Sequence, residues 1–229
     1  TKNITEKPRL INWKINKAIE FLEENQRFER LATDEGIALR KAALLAYRDV
    51  VTDASDVGTS GHNAIEEYIN LWINTGLKPT DIKTFYLGQD YRVIAVIRSA
   101  EAFFAKYKFT PIATELVVGD PKESAGTLDL LVLDEHGRLI VLDWKSSNAI
   151  DDFYACQVAV YSSYFEKMTE LRVFKQYVVR LDKYSDRFKC YVVTDPKTSA
   201  KAFGYLSKYE DYHNNGKEKL KEDKVIIKI

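Results

Sequence analysis

The spacing of apolar positions changes character about halfway along the chain. Over 9–31 (RLINWKINKAIEFLEENQRFERL), Leu10, Trp13, Lys17, Phe21 and Leu22 recur at the intervals of an amphipathic helix. A second helix is predicted over 36–50, and a third from about Ser60 to Ile73, closed by Thr75-Gly76. Residues 90–107 (DYRVIAVIRSAEAFFAKY) predict a fourth. From there the period shortens. Residues 111–118 (PIATELVV) predict a strand, ended by the polar turn GDPKES. Two more strands follow within GTLDLLVLDEHGRLIVLDWKSS (126–147), then a helix over 151–168. Strands over 172–181 and 187–194, joined by DKYSD, precede a charged helix and a short tail. Helices first, then the order β-β-β-α-β-β-α, predict an α/β sheet domain with a helical N-terminal subdomain. The expected division is a helical region, 1–108, integrated with a core, 109–229, in one compact domain.

Composition narrows the partners only slightly. Hydrophobic residues make up 45% of the 229, enough to bury a substantial core. Thirty-four basic residues balance thirty-four acidic ones, so no overall positive field advertises a nucleic-acid partner. A local basic path beside an acidic centre would be hidden in that sum. Two cysteines, Cys156 and Cys190, are too few for a four-cysteine iron–sulfur cluster or a zinc ribbon. Isolated cysteines, no signal-peptide pattern and no membrane-length apolar run lead us to expect a soluble intracellular protein without a membrane partner.

The hairpin carries acids where a buried hairpin disfavours them. Glu135-His136-Gly137 reads as a three-residue loop with Gly137 in the left-handed position. Asp134 then faces Arg138, and counting outward Asp129 faces Asp143, with Cβ atoms expected roughly 4.5–5.5 Å apart. Lys145 points to the same face; Leu130, Leu142 and Trp144 point to the other, toward a core. Two such carboxylates repel, and burial raises the cost. A bridging divalent cation removes the conflict, and hard oxygen ligands suit Mg²⁺ or Mn²⁺. The plainer reading is an edge hairpin whose Asp–Lys pairs solvate one face.

At these residues the sequence resembles the PD-(D/E)xK nuclease superfamily, and within it the RecB-type exonuclease branch, which includes phage and mitochondrial genome-maintenance enzymes. Gly126-Thr-Leu-Asp129 and Asp143-Trp-Lys145 match its core signature, with Leu128 where the superfamily name has proline. Ala54 to Tyr68 (ASDVGTSGHNAIEEY) resembles the branch's upstream histidine motif, and Glu115 stands on the preceding strand. Gln157-Val-Ala-Val-Tyr161 matches the Gln-x-x-x-Tyr element, whose ends share a helix face. The resemblance covers roughly 54–161 and gives nothing specific beyond about 195. Taken alone, His62 reads as a structural helix histidine and Glu115 as a solvated acid.

The resemblance implies a restriction-endonuclease-like mixed β-sheet flanked by helices, and a metal-dependent deoxyribonuclease. Asp129, Asp143, Glu115, His62 and the Trp144 carbonyl would hold Mg²⁺ or Mn²⁺. Lys145 would orient the attacking water, while Gln157 and Tyr161 would meet the site or the DNA. The expected activity is exonuclease action on single strands or ends, in recombination, repair, or phage or organelle genome processing. A helicase, annealing protein or polymerase would be a separate partner. A structure-selective endonuclease, an RNA-directed nuclease and a catalytically silent DNA-binding scaffold remain alternatives. Arg27, Arg30, Arg40, Lys41, Arg48 and the rings of Tyr47, Tyr86, Phe103 and Phe104 read as solvated charges or core rings rather than sites.

Overall fold

A computed structural model describes residues 8–24, 34–80, 82–121 and 124–215. Its centre is a five-stranded mixed sheet in the order β1-β2-β3-β4-β5. The strands are β1 (Thr110–Gly119), β2 (Ala125–Leu133), β3 (Leu139–Lys145), β4 (Val173–Leu181) and β5 (Phe188–Val192). Only β3 and β4 pair in parallel. A parallel neighbour needs a long crossover, and the helix α5 (Asp152–Thr169) supplies it.

The helical front comprises α1 (Pro8–Glu24), α2 (Asp34–Leu45), α3 (Tyr47–Thr75) and α4 (Tyr91–Lys106); α6 (Pro196–Asn215) ends the described chain. A short 3₁₀ helix, Ile82–Phe85, precedes α4 and was not expected. Two expectations need correction. The helix predicted over 36–50 ends at Leu45, and after a turn at Ala46 a new helix begins. The helix predicted from Ser60 begins at Tyr47 and runs 29 residues. Both glycines of its polar stretch serve close packing. A Cβ on Gly61 would stand 2.9 Å from Val96 Cγ1, and one on Gly58 3.1 Å from Ser146 Oγ. The end was read correctly: Gly76 caps α3 at φ 69°. Residues 25–31 of the first predicted helix, with Arg27 and Arg30, and the tail after 215 lie outside the described residues.

Each sheet face buries its own core. Ile65 and Ile69 of α3 and Phe103 of α4 pack with Leu130, Leu142, Trp144 and Val179 on one side. Phe103 meets the Trp144 ring edge-on with centroids 5.2 Å apart, a favoured aromatic geometry. Phe103 and Phe104 are thus core rings, as read from the sequence. On the other side, Val158, Val160 and Tyr164 of α5 pack with Leu128, Leu131, Val141 and Val178. Ala200 and Phe203 of α6 extend that layer. Among the described residues no helix is long and apolar enough to cross a membrane.

Candidate active site

The expected hairpin forms with the expected register. Gly137 turns at φ 71°, Asp134 N–H donates to the Arg138 carbonyl at 3.1 Å, and Leu133 faces Leu139 through to Leu130 facing Leu142. The ladder stops there, one position short of the two aspartates. Trp144 N–H, which a continued ladder would direct at the β2 backbone, donates instead to Asp129 Oδ2 at 2.8 Å. Asp129 and Asp143 are therefore not a ladder pair, contrary to expectation, because a carboxylate has taken the backbone donor.

Asp129 is held from the other flank as well, its carbonyl accepting from Thr114 Oγ1 at 2.8 Å. Across β1, Glu115 adopts φ 50°, a left-handed conformation unusual for a side chain of its kind. The two-residue alternation of β2 slips at this level. Leu128 and Leu131 pack toward α5, while Leu130 and Val132 pack toward α3 and α4. The irregularity opens the sheet where the acids stand, which is a recurrent use of such distortions near functional sites.

A cleft of about 680 Å³ lies between this opening and one face of α3. Helix α3 presents Ser55, Thr59, His62 and Glu66, spaced by the helical turn. The sheet and its loops present Glu115, Asp129, Trp144, Lys145, Asn148 and Lys183, and α5 adds Tyr154. His62 Nδ1 stands 4.0 Å from Asp129 Oδ2. Asp143 lies behind the cleft wall, only 4% exposed, with Lys145 Nζ 2.6 Å from its Oδ2. Beyond that lysine, the buried Oδ2 atom has no hydrogen-bond partner among the described residues. Lys145 also lies 5.0 Å over the Tyr154 ring.

Crowding of acids governs the electrostatics. Burial, and then the charges of Asp129 and Glu66, push the Glu115 carboxyl up to about 7, against the pull of Lys145. Burial and Asp129 likewise raise Asp143, with Lys145 opposing. For Lys145, burial works against the charge, but Asp143 and Asp129 outweigh it and hold the ammonium above its usual value. Burial lowers His62; Asp129 resists that shift and Lys145 adds to it. The lysine keeps its proton, while Glu115 and Asp143 hold theirs to higher pH than ordinary carboxyls.

The structure thus brings Glu115, Asp129, Trp144, Lys145 and His62 to one cleft, with Asp143 directly behind. Among the described residues no three His, Cys, Asp or Glu side chains converge as a metal-holding group. Asp143 is drawn to Lys145 and Asp129 to Trp144 N–H, so the expected ligand set is not assembled around one point. Its chemistry still fits a hard divalent cation: the donors are carboxylate oxygens short of positive charge, and the buried Asp143 Oδ2 has no partner beyond Lys145. Gln157 and Tyr161 do not line the cleft. Tyr161 packs on Gly126, and Gln157 Nε2 stands 3.5 Å from Tyr161 Oη. Glu66, Tyr154 and Lys183 were not foreseen. Glu66 was findable, four residues after His62 on the same helix face; Lys183, in a turn between strands, carried no signal.

Fold and cleft together define an α/β protein of the nuclease kind. Residues 19–225 match the PD-(D/E)XK nuclease superfamily, and the chain belongs to that superfamily. Its members are typically nucleases, generally use divalent metals, and the family implies DNA as substrate. A solved structure described as "Crystal structure of SSO0001" is similar at 15% identity, covering 74% of this chain and 76% of that one. Its TM-score of 0.33 is too low to support any inference. No curated protein matches the chain.

Proposed function

We propose that this protein is a Mg²⁺- or Mn²⁺-dependent DNA exonuclease of the RecB-type branch, acting on single strands or strand ends. The observation that carries the reading is the lysine–aspartate pair of Lys145 and Asp143 at the opened end of β2 and β3, beside Asp129. Asp129, Asp143, Glu115, the Trp144 carbonyl and His62 would hold the cation. A bound divalent cation supplies Lewis-acid stabilisation of charge on the phosphoryl oxygens.

The chain's own groups account for the rest. The Lys145 ammonium, kept charged by its two aspartates, orients a water at the scissile phosphate and stabilises negative charge developing there. His62, held neutral by burial, presents an imidazole nitrogen as ligand or acceptor. Trp144 N–H fixes the carboxylate of Asp129. Gln157 and Tyr161 enter this reading as supports of β2 rather than as groups touching substrate.

The helical region 1–108 and the core 109–229 act as one unit in this proposal, supported by the hydrophobic cluster they share. An intracellular role in recombination, repair or genome processing, with any helicase, annealing protein or polymerase as a separate chain, goes with that substrate.

The test is degradation of end-labelled linear and covalently closed circular single-stranded DNA with Mg²⁺ or Mn²⁺, with Lys145→Ala as control. Cleavage of linear DNA alone, lost in the variant, is expected. Cutting of the circle would replace the exonuclease reading with an endonuclease one, and no cutting of either would overturn the deoxyribonuclease reading.

A further inference from the structure

Lys183 is a cleft residue to which the proposed chemistry gives no task. It is only 8% exposed, yet it lines the same cleft as Asp129 and Lys145. Among the described residues no hydrogen bond or ion pair holds its ammonium. Most of the side chain is covered, but its ammonium lines the open cleft, where a cation without a partner is placed to take an anion.

The neighbouring groups offset that charge only in part. The acid whose charge reaches Lys183 is Asp53, and Arg92 grips both oxygens of that carboxylate, Nη1 on Oδ2 and Nη2 on Oδ1. Arg180 is satisfied too: its Nε donates to the Ser147 carbonyl at 3.0 Å, and its Nη2 lies 3.8 Å from Asp182. Lys183 therefore faces two cations and an acid already engaged. Burial, followed by Arg92, lowers its pKa, as expected for an ammonium awaiting an anion.

The turn carrying Lys183 is firmly set. The buried Ser99 hydroxyl of α4 lies 2.9 Å from the Ser185 carbonyl, 2.8 Å from that of Arg187 and 3.3 Å from that of Asp182. Asp182 Oδ1 accepts from Tyr184 N–H at 2.8 Å. Such anchoring holds the lysine in place before any ligand arrives.

Its position along the cleft is also distinct. Asp53 stands nine residues before His62 on α3, about 13.5 Å of helix rise. One strand of B-form DNA carries a phosphate about every 3.4 Å of axis. The charge of Lys183 is felt at Asp53 and is not among the influences on Glu115, Asp143 or Lys145, so it stands apart from the carboxylates and addresses a different phosphate. Ser55 and Thr59, one turn apart between those levels, add hydroxyl donors to the same wall.

We propose that Lys183 binds a non-reacting phosphate of the nucleic-acid strand, so that the cleft grips the strand at a second point away from the carboxylates. This rests on the nuclease reading of the cleft. The phosphate is an internal phosphodiester or a terminal monophosphate, and the chemistry is the same.

The test is fluorescence anisotropy of a 3′-labelled single-stranded oligonucleotide, with and without a 5′-phosphate, titrated in EDTA over a range of salt. Lys183→Met should weaken binding roughly tenfold at low salt. It should also reduce the slope of log affinity against log salt by about 0.7, the value for one phosphate contact on a single strand. Lys183→Arg should recover most of both. In cleavage assays with metal, the Met variant should raise KM and leave kcat near wild type. Equal losses on both oligonucleotides identify an internal phosphate; loss confined to the phosphorylated one identifies the terminal group.

Unchanged affinity and slope in Lys183→Met would overturn the proposal, as would weakened binding with an unchanged slope. Failure of both Lys183→Met and Lys183→Gln to fold would do the same, since the lysine would then be structural. Wild-type protein that binds in EDTA but never cleaves would sink the nuclease activity and leave the phosphate contact standing.

Discussion

The ring of Tyr161 lies so close against Gly126 that a Cβ at position 126 would collide with its Cζ, Cε1 and hydroxyl oxygen. Two elements separate in sequence are therefore one packing unit, joining the start of β2 to the helix that crosses over to β4. The glycine is needed because the tyrosine covers it. Gly126→Ala should destabilise the protein by about 1–3 kcal/mol, the usual cost of overpacking. Urea unfolding checks this, and Tyr161→Ala in the same background should relieve much of the loss through pairwise coupling. A Gly126→Ala protein as stable as wild type would mean the ring moves aside freely, and the pair would then not fix β2.

On the proposed reading Lys145 has a structural and a chemical task, and they separate experimentally. Its ammonium offsets the buried Asp143 carboxylate, so Lys145→Ala should lose up to about 3 kcal/mol of stability. Lys145→Ala with Asp143→Asn should regain most of that, because no buried charge is left alone. Neither protein should cleave DNA: loss of a positioned cation at the reacting phosphate lowers kcat by roughly 10²–10³-fold or more. Thermal melts and single-turnover cleavage read the two tasks. A stable double variant that still cleaves at the wild-type rate would remove Lys145 from the chemistry.

The order of elements along the chain, the hairpin register up to Leu130 and Leu142, and the helix after the hairpin were legible because alternation, turn residues and period are local. The shared cleft was legible only through the resemblance, since His62 and Glu115 individually carry no pattern that separates them from structural residues. The start of α3 was missed for a definite reason. Gly58 and Gly61 weaken helix propensity locally, and only the close approach of Ser146 and Val96 accounts for them. The slip at Asp129 was hidden as well, because alternation presumes a continuous ladder and Trp144 N–H breaks it. Lys183 lay beyond sequence reasoning, because its burial depends on α3 and α4 meeting a turn far along the chain.

The Ser99 hydroxyl ties that turn to α4. It is fully buried and approaches three carbonyls, of Asp182, Ser185 and Arg187. Ser99→Ala leaves those acceptors with less than they have now, a change worth about 1–3 kcal/mol. The variant should melt earlier and show faster amide exchange over 182–187. It should also weaken oligonucleotide binding in the same direction as Lys183→Met, though less. Unchanged exchange in the turn would show that its backbone hydrogen bonds suffice without the serine.

Stability without metal should depend on pH through Glu115, and the sign follows from its environment. Its carboxyl stands at about 7 in the folded protein against an ordinary 4.5, because of burial and the charges of Asp129 and Glu66. Between those values the folded chain keeps a proton that the unfolded chain has released, so this residue's contribution to stability falls as pH rises through the window and is flat above it. His62 acts oppositely, being held below its ordinary value, so total stability mixes the two and the useful readout is a difference. In EDTA, the melting temperature of Glu115→Gln minus that of wild type should rise from pH 4.5 to about 7 and then level. Mg²⁺ or Mn²⁺ at pH 8 should reverse the order, since the cation favours the ionised carboxylates of the wild type and finds one fewer in the variant. A difference that is flat with pH would mean Glu115 is solvated like an ordinary surface acid. A pH-dependent difference that metal leaves unchanged would keep the buried charge and take Glu115 out of the cation's reach.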